Sequence, residues 1–213
     1  MDHMAPANDT RFKPVTDLSG AEQGMPALVL GNSPWRVGFP VAAWAGVTIG
    51  CNGVYREGYD LDYLVTVDRG IVKEVAAWKP WDHGVKQIIS QAHNWPKGVD
   101  VGADVYYASG SILWQKLAGN LALGVAMVLG CNPIVMVGFS MDGTNTYIGT
   151  KNYRHREPGR GKCVPGADKR HQIAIRARLE ELNADNFDVF WVAPGLEMLD
   201  LLNRPTAGTN AKA

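Results

Sequence analysis

Residues 109–143 read SGSILWQKLAGNLALGVAMVLGCNPIVMVGFSMDG, and this stretch decides the fold. The first two thirds has the pattern of a long helix through Leu129. Ser109 or Ser111 fits its N-cap and Gly130 the position just past its end. Ala118, Gly119, Ala122, Gly124 and Ala126 make that helix thin, so it can lie close against a sheet. Pro133–Phe139, six apolar residues and a glycine, is the most strand-like run in the chain, which predicts the sheet centre. A helix feeding a buried strand that ends on glycine and polar residues is one step of a parallel α/β chain.

Working outward, the same alternation repeats. Ala27–Leu30 is a short apolar run closed by Gly31-Asn-Ser-Pro34, a buried strand entering a tight loop. Val47–Ile49 stops at Gly50-Cys-Asn-Gly53, and Tyr63–Val67 stops at Asp68. Ile71–Trp78 reads as a helix, Gln87–Ile89 and Val105–Tyr107 as further strands. Ile175, Leu179 and Leu182 sit at helical spacing, Val189–Val192 is a last strand, and Leu196–Leu202 is predicted to be a last helix. The expected fold class is α/β: a Rossmann-like, mostly parallel sheet with helices on both faces, in a single domain. Residues 1–25 are expected to be a flexible arm, 26–204 the domain with a basic lid at 143–170, and 205–213 a disordered tail.

Composition narrows the function. With 213 residues, 46% hydrophobic and 20% charged, the chain has the make-up of a globular domain with a sizeable core. A formal net charge of zero gives no global field for nucleic acid or an acidic membrane, so any such attraction is local. The apolar stretch Ile112–Leu129 holds Gln115, Lys116 and Asn120 and reads as a buried helix rather than a membrane span. Cys51, Cys131 and Cys163 are odd in number and far apart, which argues against a zinc site or a disulfide framework. With no apolar leader before Lys13, the expected compartment is the cytoplasm.

In open parallel sheets, ligands bind outside the carboxyl ends of the strands. Short polar and glycine-bearing motifs fall at those ends: Gly31-Asn32-Ser33, Asn52, Asp68, Gly138 with Asp142, and Ser109-Gly110-Ser111 before a helix. Glycine allows close backbone approach, free amides at a helix start favour an anion, and Asn and Ser suit a base or sugar. The argument rests on their joint placement, because each alone also serves as an ordinary turn or cap.

The run LVLGNSP…IGCNGVY (Leu28 to Tyr55) resembles the opening of the bacterial CMP-sialic-acid sialyltransferases and of the related 6-hydroxymethylpterin diphosphokinase MptE-like proteins. Residues 109–143 resemble their S-G turn, long helix and following strand, and VFWVAPGLEMLDLL (Val189 to Leu202) their final segment. The resemblance implies that Gly31, Asn32, Ser33, Asn52, Ser109 and Gly110 hold the nucleotide of a sugar donor. Asp62-Tyr-Leu-Val-Thr-Val-Asp68 is similar to the D-Y-x-x-x-x-D strand end of the diphosphokinase-like group, which makes Asp68 the candidate ligand for Mg²⁺. Three positions depart from the pattern: Ser33 and Trp35 in the first loop, and Ser140 where the families carry Asp. The sialyltransferase general-base histidine aligns near Ala167, leaving His155 and His171 as neighbouring substitutes.

Between Lys151 and Arg170 seven Lys/Arg face only Glu157 and Asp168. Glycosyl transfer needs a base for the acceptor hydroxyl and cations for the departing phosphate. His155, His171 and Asp142 are the catalytic candidates, and Tyr153, Arg154 and Arg156 the phosphate candidates on the lid. His83 and His93 lie among Trp78, Trp81 and Trp95 and read as packing or an acceptor-side surface. Three functions fit: a nucleotide-dependent transferase using a nucleotide or nucleotide-sugar donor, an Mg²⁺-dependent pyrophosphokinase or other phosphoryl-transfer enzyme, and a non-catalytic nucleotide- or nucleic-acid-binding protein. The partner common to all three is a nucleotide. The basic lid also suits a nucleic-acid acceptor, and a homo-oligomer stays open.

Overall fold

The computed structural model describes residues 12–90, 95–96, 104–107, 117–140, 146–147, 150, 152, 167–192 and 198–200. Its strands are β1 (Phe12–Pro14), β2 (Ala27–Leu30), β3 (Val47–Cys51), β4 (Tyr63–Thr66), β5 (Gln87–Ser90), β6 (Asp104–Tyr107), β7 (Ile134–Val137), β8 (Val189–Val192) and β9 (Met198–Asp200). Among the described residues they form one sheet in the order β1-β6-β5-β4-β3-β2-β7-β8-β9. Every neighbouring pair is parallel except β8 with β9. Helix α1 (Arg69–Trp78) covers one face, and α2 (Ala118–Leu129) with α3 (Ala167–Ala184) covers the other. The chain is a Rossmann-like α/β domain.

Burial on both faces explains why the inner strands read as unbroken apolar runs. All residues of β2, β3, β4 and β7 are buried. Helix α1 is amphipathic: Ile71, Val72, Val75 and Ala76 go inward while Lys73 and Ala77 stay exposed. In α2 the small residues are needed for contact. A Cβ on Gly119 would lie 2.8 Å from the Phe139 ring beyond β7. Gly130 ends α2 at φ +77°, the left-handed conformation that favours glycine, and its N–H returns to the last turn. The expected start of this helix at Ser109 or Ser111 lies outside the described residues, which begin again at Leu117.

Three expectations are corrected. Residues 12–25 are not a free arm. Phe12–Pro14 pairs with β6, Val15 and Leu18 are buried, and the N–H groups of Gly20, Glu22 and Gly24 bond to the carbonyls of Val128, Leu129 and Gly130 at 2.8–2.9 Å. This segment satisfies carbonyls that the end of α2 would otherwise leave without partners. The last element is not a helix over Leu196–Leu202 but β9, antiparallel to β8. Only five residues, with Pro194-Gly195 among them, separate the two strands, too few for a crossover and enough for a return. Strand β7 is internal, between β2 and β8, but the central strand is β3. The chain lays down β3 to β6 on one side of β2 before β7 starts the other. In addition, α3 begins at Ala167, so the last four residues of the expected basic lid are helical.

Candidate functional site at the carboxyl rim

Strand β2 pairs with β3 on one side and β7 on the other, so the connections after β2 and β7 diverge. This is the topological switch point, where open α/β sheets bind ligands. Gly31 and Gly138 meet there. A Cβ on Gly31 would sit 2.3 Å from the Gly138 carbonyl oxygen, and Gly138 holds φ +73° with its own Cβ position 2.9 Å from the Gly31 oxygen. The Gly31 N–H donates to Val137 O and the Ser33 N–H to Gly138 O, each at 2.8 Å. The two glycines therefore let the β2 and β7 connections touch, and these two amides extend the ladder. Ser33 is 2% exposed, and its Oγ accepts the Trp35 N–H at 3.3 Å. That bond starts the short turn that carries Trp35 beside Trp191 of β8, ring centroids 5.9 Å apart. Asn32 is half-buried, and its carbonyl accepts the Thr146 N–H at 2.8 Å.

One strand over, Asn52 follows β3 at φ +45° and is buried. Its Nδ2 donates to Asp68 Oδ2 at 2.8 Å and its Oδ1 accepts the Val67 N–H at 3.3 Å. Asn52 thus braces the end of β4 and holds the exposed Asp68 carboxylate at the rim. Asn32, Asn52 and Asp68 follow three consecutive strands, so they share the rim at about 5 Å per strand. Ser109, Gly110 and Ser111 lie outside the described residues, as do Asp142, Tyr153, Arg154, His155 and Arg156. Helix α3 ends four residues before β8, and His171 comes just after its first turn.

Among the residues that organise the site, Arg36, Arg56 and Glu57 are ones the sequence did not single out. Arg36, 2% exposed, donates through Nη1 to the carbonyls of Gly31 (3.0 Å) and Ser33 (2.8 Å) and to Thr146 Oγ1 (3.4 Å). Nη2 reaches Tyr147 Oη at 2.8 Å, and the guanidinium pairs with the Glu57 carboxylate. Tyr147 Oη donates to Glu57 at 2.6 Å, and its ring lies against Gly53, where a Cβ would be 2.7 Å away. The guanidinium carbons of Arg36 and Arg56 stand 5.5 and 5.4 Å from the centre of that ring. Arg56 also donates to Thr150 Oγ1 at 2.8 Å and pairs with Glu74. Burial would push the Glu74 carboxyl up, but hydrogen bonds from Tyr55 and Arg56 outweigh it and hold the group below its usual range. Asn52–Glu57 is therefore a pedestal that fastens Thr146, Tyr147 and Thr150 to the rim. Cys51, under this pedestal, is fully buried, and that burial pushes its thiol up to about 12 despite nearby Arg36, so it is no nucleophile.

Trp78 stacks on His83 with centroids 4.3 Å apart and planes at 10°, so this part of the tryptophan-rich stretch is packing. A cavity of about 470 Å³ follows the outer side of α1, lined by Gly70, Lys73, Glu74, Ala77, Trp78 and Asn152. Among the described residues no group of three His, Cys, Asp or Glu side chains could hold a metal. No helix among them is long and apolar enough to cross a membrane.

The fold is shared with a solved structure. The sialyltransferase CST-II, solved in complex with CMP, is 14% identical over 84% of this chain and 83% of its own, with a TM-score of 0.50. That likeness establishes the architecture. The MAf glycosyltransferase from Magnetospirillum magneticum AMB-1 is 14% identical over 58% of this chain, with a TM-score of 0.39, and this chain spans about a quarter (26%) of its length. No protein-family model matches the sequence. No curated protein matches it either.

Proposed function

We propose that this protein is a glycosyltransferase that takes a nucleotide-sugar donor along the carboxyl rim, from the β2–β7 switch point toward the start of α1. The carrying observation is the convergence of Asn32, Asn52 and Asp68 on that rim, in a fold shared with a sialyltransferase solved with CMP. Asn32 beside Gly31 and Gly138 reads base or ribose, and the Asn52–Asp68 pair accepts and donates hydrogen bonds to the sugar. Ser109, Gly110 and Ser111 come after β6 in the sequence and are proposed as further nucleotide contacts. His171, just after the first turn of α3, is the preferred base for the acceptor hydroxyl. His155 and Asp142 are the other acid–base candidates.

The departing phosphate needs cations. Tyr153, Arg154 and Arg156 are assigned that task on the positions of their flanks. Asn152 touches α1 on one face of the sheet, and α3 begins at Ala167 on the other. A requirement for Mg²⁺ would act through Asp68.

Thermal unfolding across CMP, UDP and GDP, with and without Mg²⁺, tests the reading. A ligand at a hundred times its Kd adds about 2.7 kcal/mol, which is about 5–10 °C in Tm for a domain of this size. One nucleotide is expected to give that shift and Asn32→Ala to abolish it. A flat response across the panel refutes the proposal.

A further inference from the structure

Beyond the rim residues already assigned, the structure points to a dedicated phosphoryl subsite at the amino end of α1, floored by the hydroxyls of Thr66 and Ser90; we propose that it takes the phosphate of the bound nucleotide. Thr66 and Ser90 end β4 and β5 and are direct partners in the ladder. Both are 0% exposed, and among the described residues neither Oγ has a hydrogen-bond partner. Alternate strand residues face the same way. Leu64 and Ile88 pack in the cluster that contains α1, so Thr66 and Ser90, two residues further on, face α1 at the level of its first turn. Trp95 belongs to the same cluster, and its indole N–H is also without a partner. Buried polar groups without partners are rare and costly, and two neighbouring hydroxyls turned to the same place imply something that bonds to them.

The helix end itself is arranged for an anion. Asp68 occupies the N-cap position yet makes no side-chain cap, because its carboxylate is held by Asn52. The first intrahelical bond is Val72 N–H to Asp68 O, which leaves the amides of Arg69, Gly70 and Ile71 ahead of it. The first turn has no acidic residue, and Arg69 puts a positive charge where the helix dipole disfavours one. An anion at this end reverses that penalty and uses the free amides. The Asp68 carboxylate opposes it weakly, being exposed to solvent and engaged by Asn52.

This subsite deepens the nucleotide reading and rests on it only for which molecule carries the phosphate. The test compares wild type, Thr66→Val and Ser90→Ala by calorimetry with CMP, cytidine and inorganic phosphate, alongside Tm without ligand. Both substitutions remove a partnerless hydroxyl, so the unliganded Tm is expected to hold or rise. CMP and phosphate are expected to bind about tenfold or more weakly to each variant, while cytidine binding stays unchanged. Equal CMP and phosphate affinity in wild type and both variants overturns the subsite while leaving the nucleotide reading intact. Phosphate binding that the substitutions weaken, with no binding of CMP, UDP or GDP by wild type, upholds the subsite and refutes the nucleotide reading. Binding of neither phosphate nor any of the three nucleotides by wild type refutes both.

Discussion

Replacing Tyr147 by Phe removes one oxygen from the knot that joins the switch-point loop to Thr146 and Tyr147, and its cost can be worked from the contacts. The hydroxyl makes two bonds, to Glu57 at 2.6 Å and from Arg36 Nη2 at 2.8 Å. Glu57 is partly open to solvent, so water replaces most of what its carboxylate loses. Arg36 is 2% exposed, so its N–H is left facing an apolar ring edge. A hydrogen bond to a buried charged group is worth about 1.5–3 kcal/mol. The ring itself stays, with its seat on Gly53 and its two guanidinium neighbours. The expected loss is therefore about 2 kcal/mol, or roughly 4–8 °C in Tm for a domain of this size. Urea unfolding should show the midpoint falling with an unchanged slope. Glu57→Gln combined with Tyr147→Phe should cost less than the sum of the two, with a coupling of about 1 kcal/mol. A Tyr147→Phe protein within about 0.5 kcal/mol of wild type, or strict additivity with Glu57→Gln, would refute the claim that this hydroxyl is an organising contact.

Gly31→Ala places a methyl group 2.3 Å from a backbone oxygen that cannot swing away, and should destabilise by about 3 kcal/mol or prevent folding. Gly58→Ala, at φ +71° with nothing within 4 Å, should cost only about 1 kcal/mol; the reverse order in chemical denaturation would contradict the close approach at the switch point. The Asp62 carboxyl is pushed up by burial, but Lys86 and the Thr48 N–H and hydroxyl outweigh this and hold it below the usual carboxylate range. A lowered folded-state value means stabilisation that is full above about pH 4 and is lost as pH falls through the folded value. The stability gap between wild type and Asp62→Asn should accordingly be flat near neutrality and close as pH drops below about 4; a gap that persists to pH 2 would show that ionisation of Asp62 is not its source.

The parallel core was legible because burial on both faces writes itself as short runs such as Ala27–Leu30 and Ile134–Val137, ended by glycine. Strand β9 was not: Leu196, Leu199 and Leu202 fall at helical spacing, and only the short link from β8 reveals a reversal. At the rim, the positions of Gly31, Asn32, Asn52 and Asp68 were readable but their local work was not. Ser33 holds a backbone amide and Asn52 holds Asp68, contacts that depend on the turn each residue adopts. The knot of Arg36, Glu57 and Tyr147 joins residues up to 111 positions apart, and no local pattern encodes such a meeting. Its one visible trace is that Arg36 is the sole charge in residues 34–44 (PWRVGFPVAAW), a cation that such a segment can keep only if it is paired inside.

Strand β1 closes one margin of the sheet with only three residues, Phe12-Lys13-Pro14. A margin strand is a template for self-association, and brevity, lysine and proline are the means by which proteins blunt it. Pro14 has no N–H to offer a newcomer, and Lys13 is exposed. Trimming the chain to Ala27 would strip this guard from β6 and uncover a four-residue row of unmet amides and carbonyls, favouring strand exchange and aggregation.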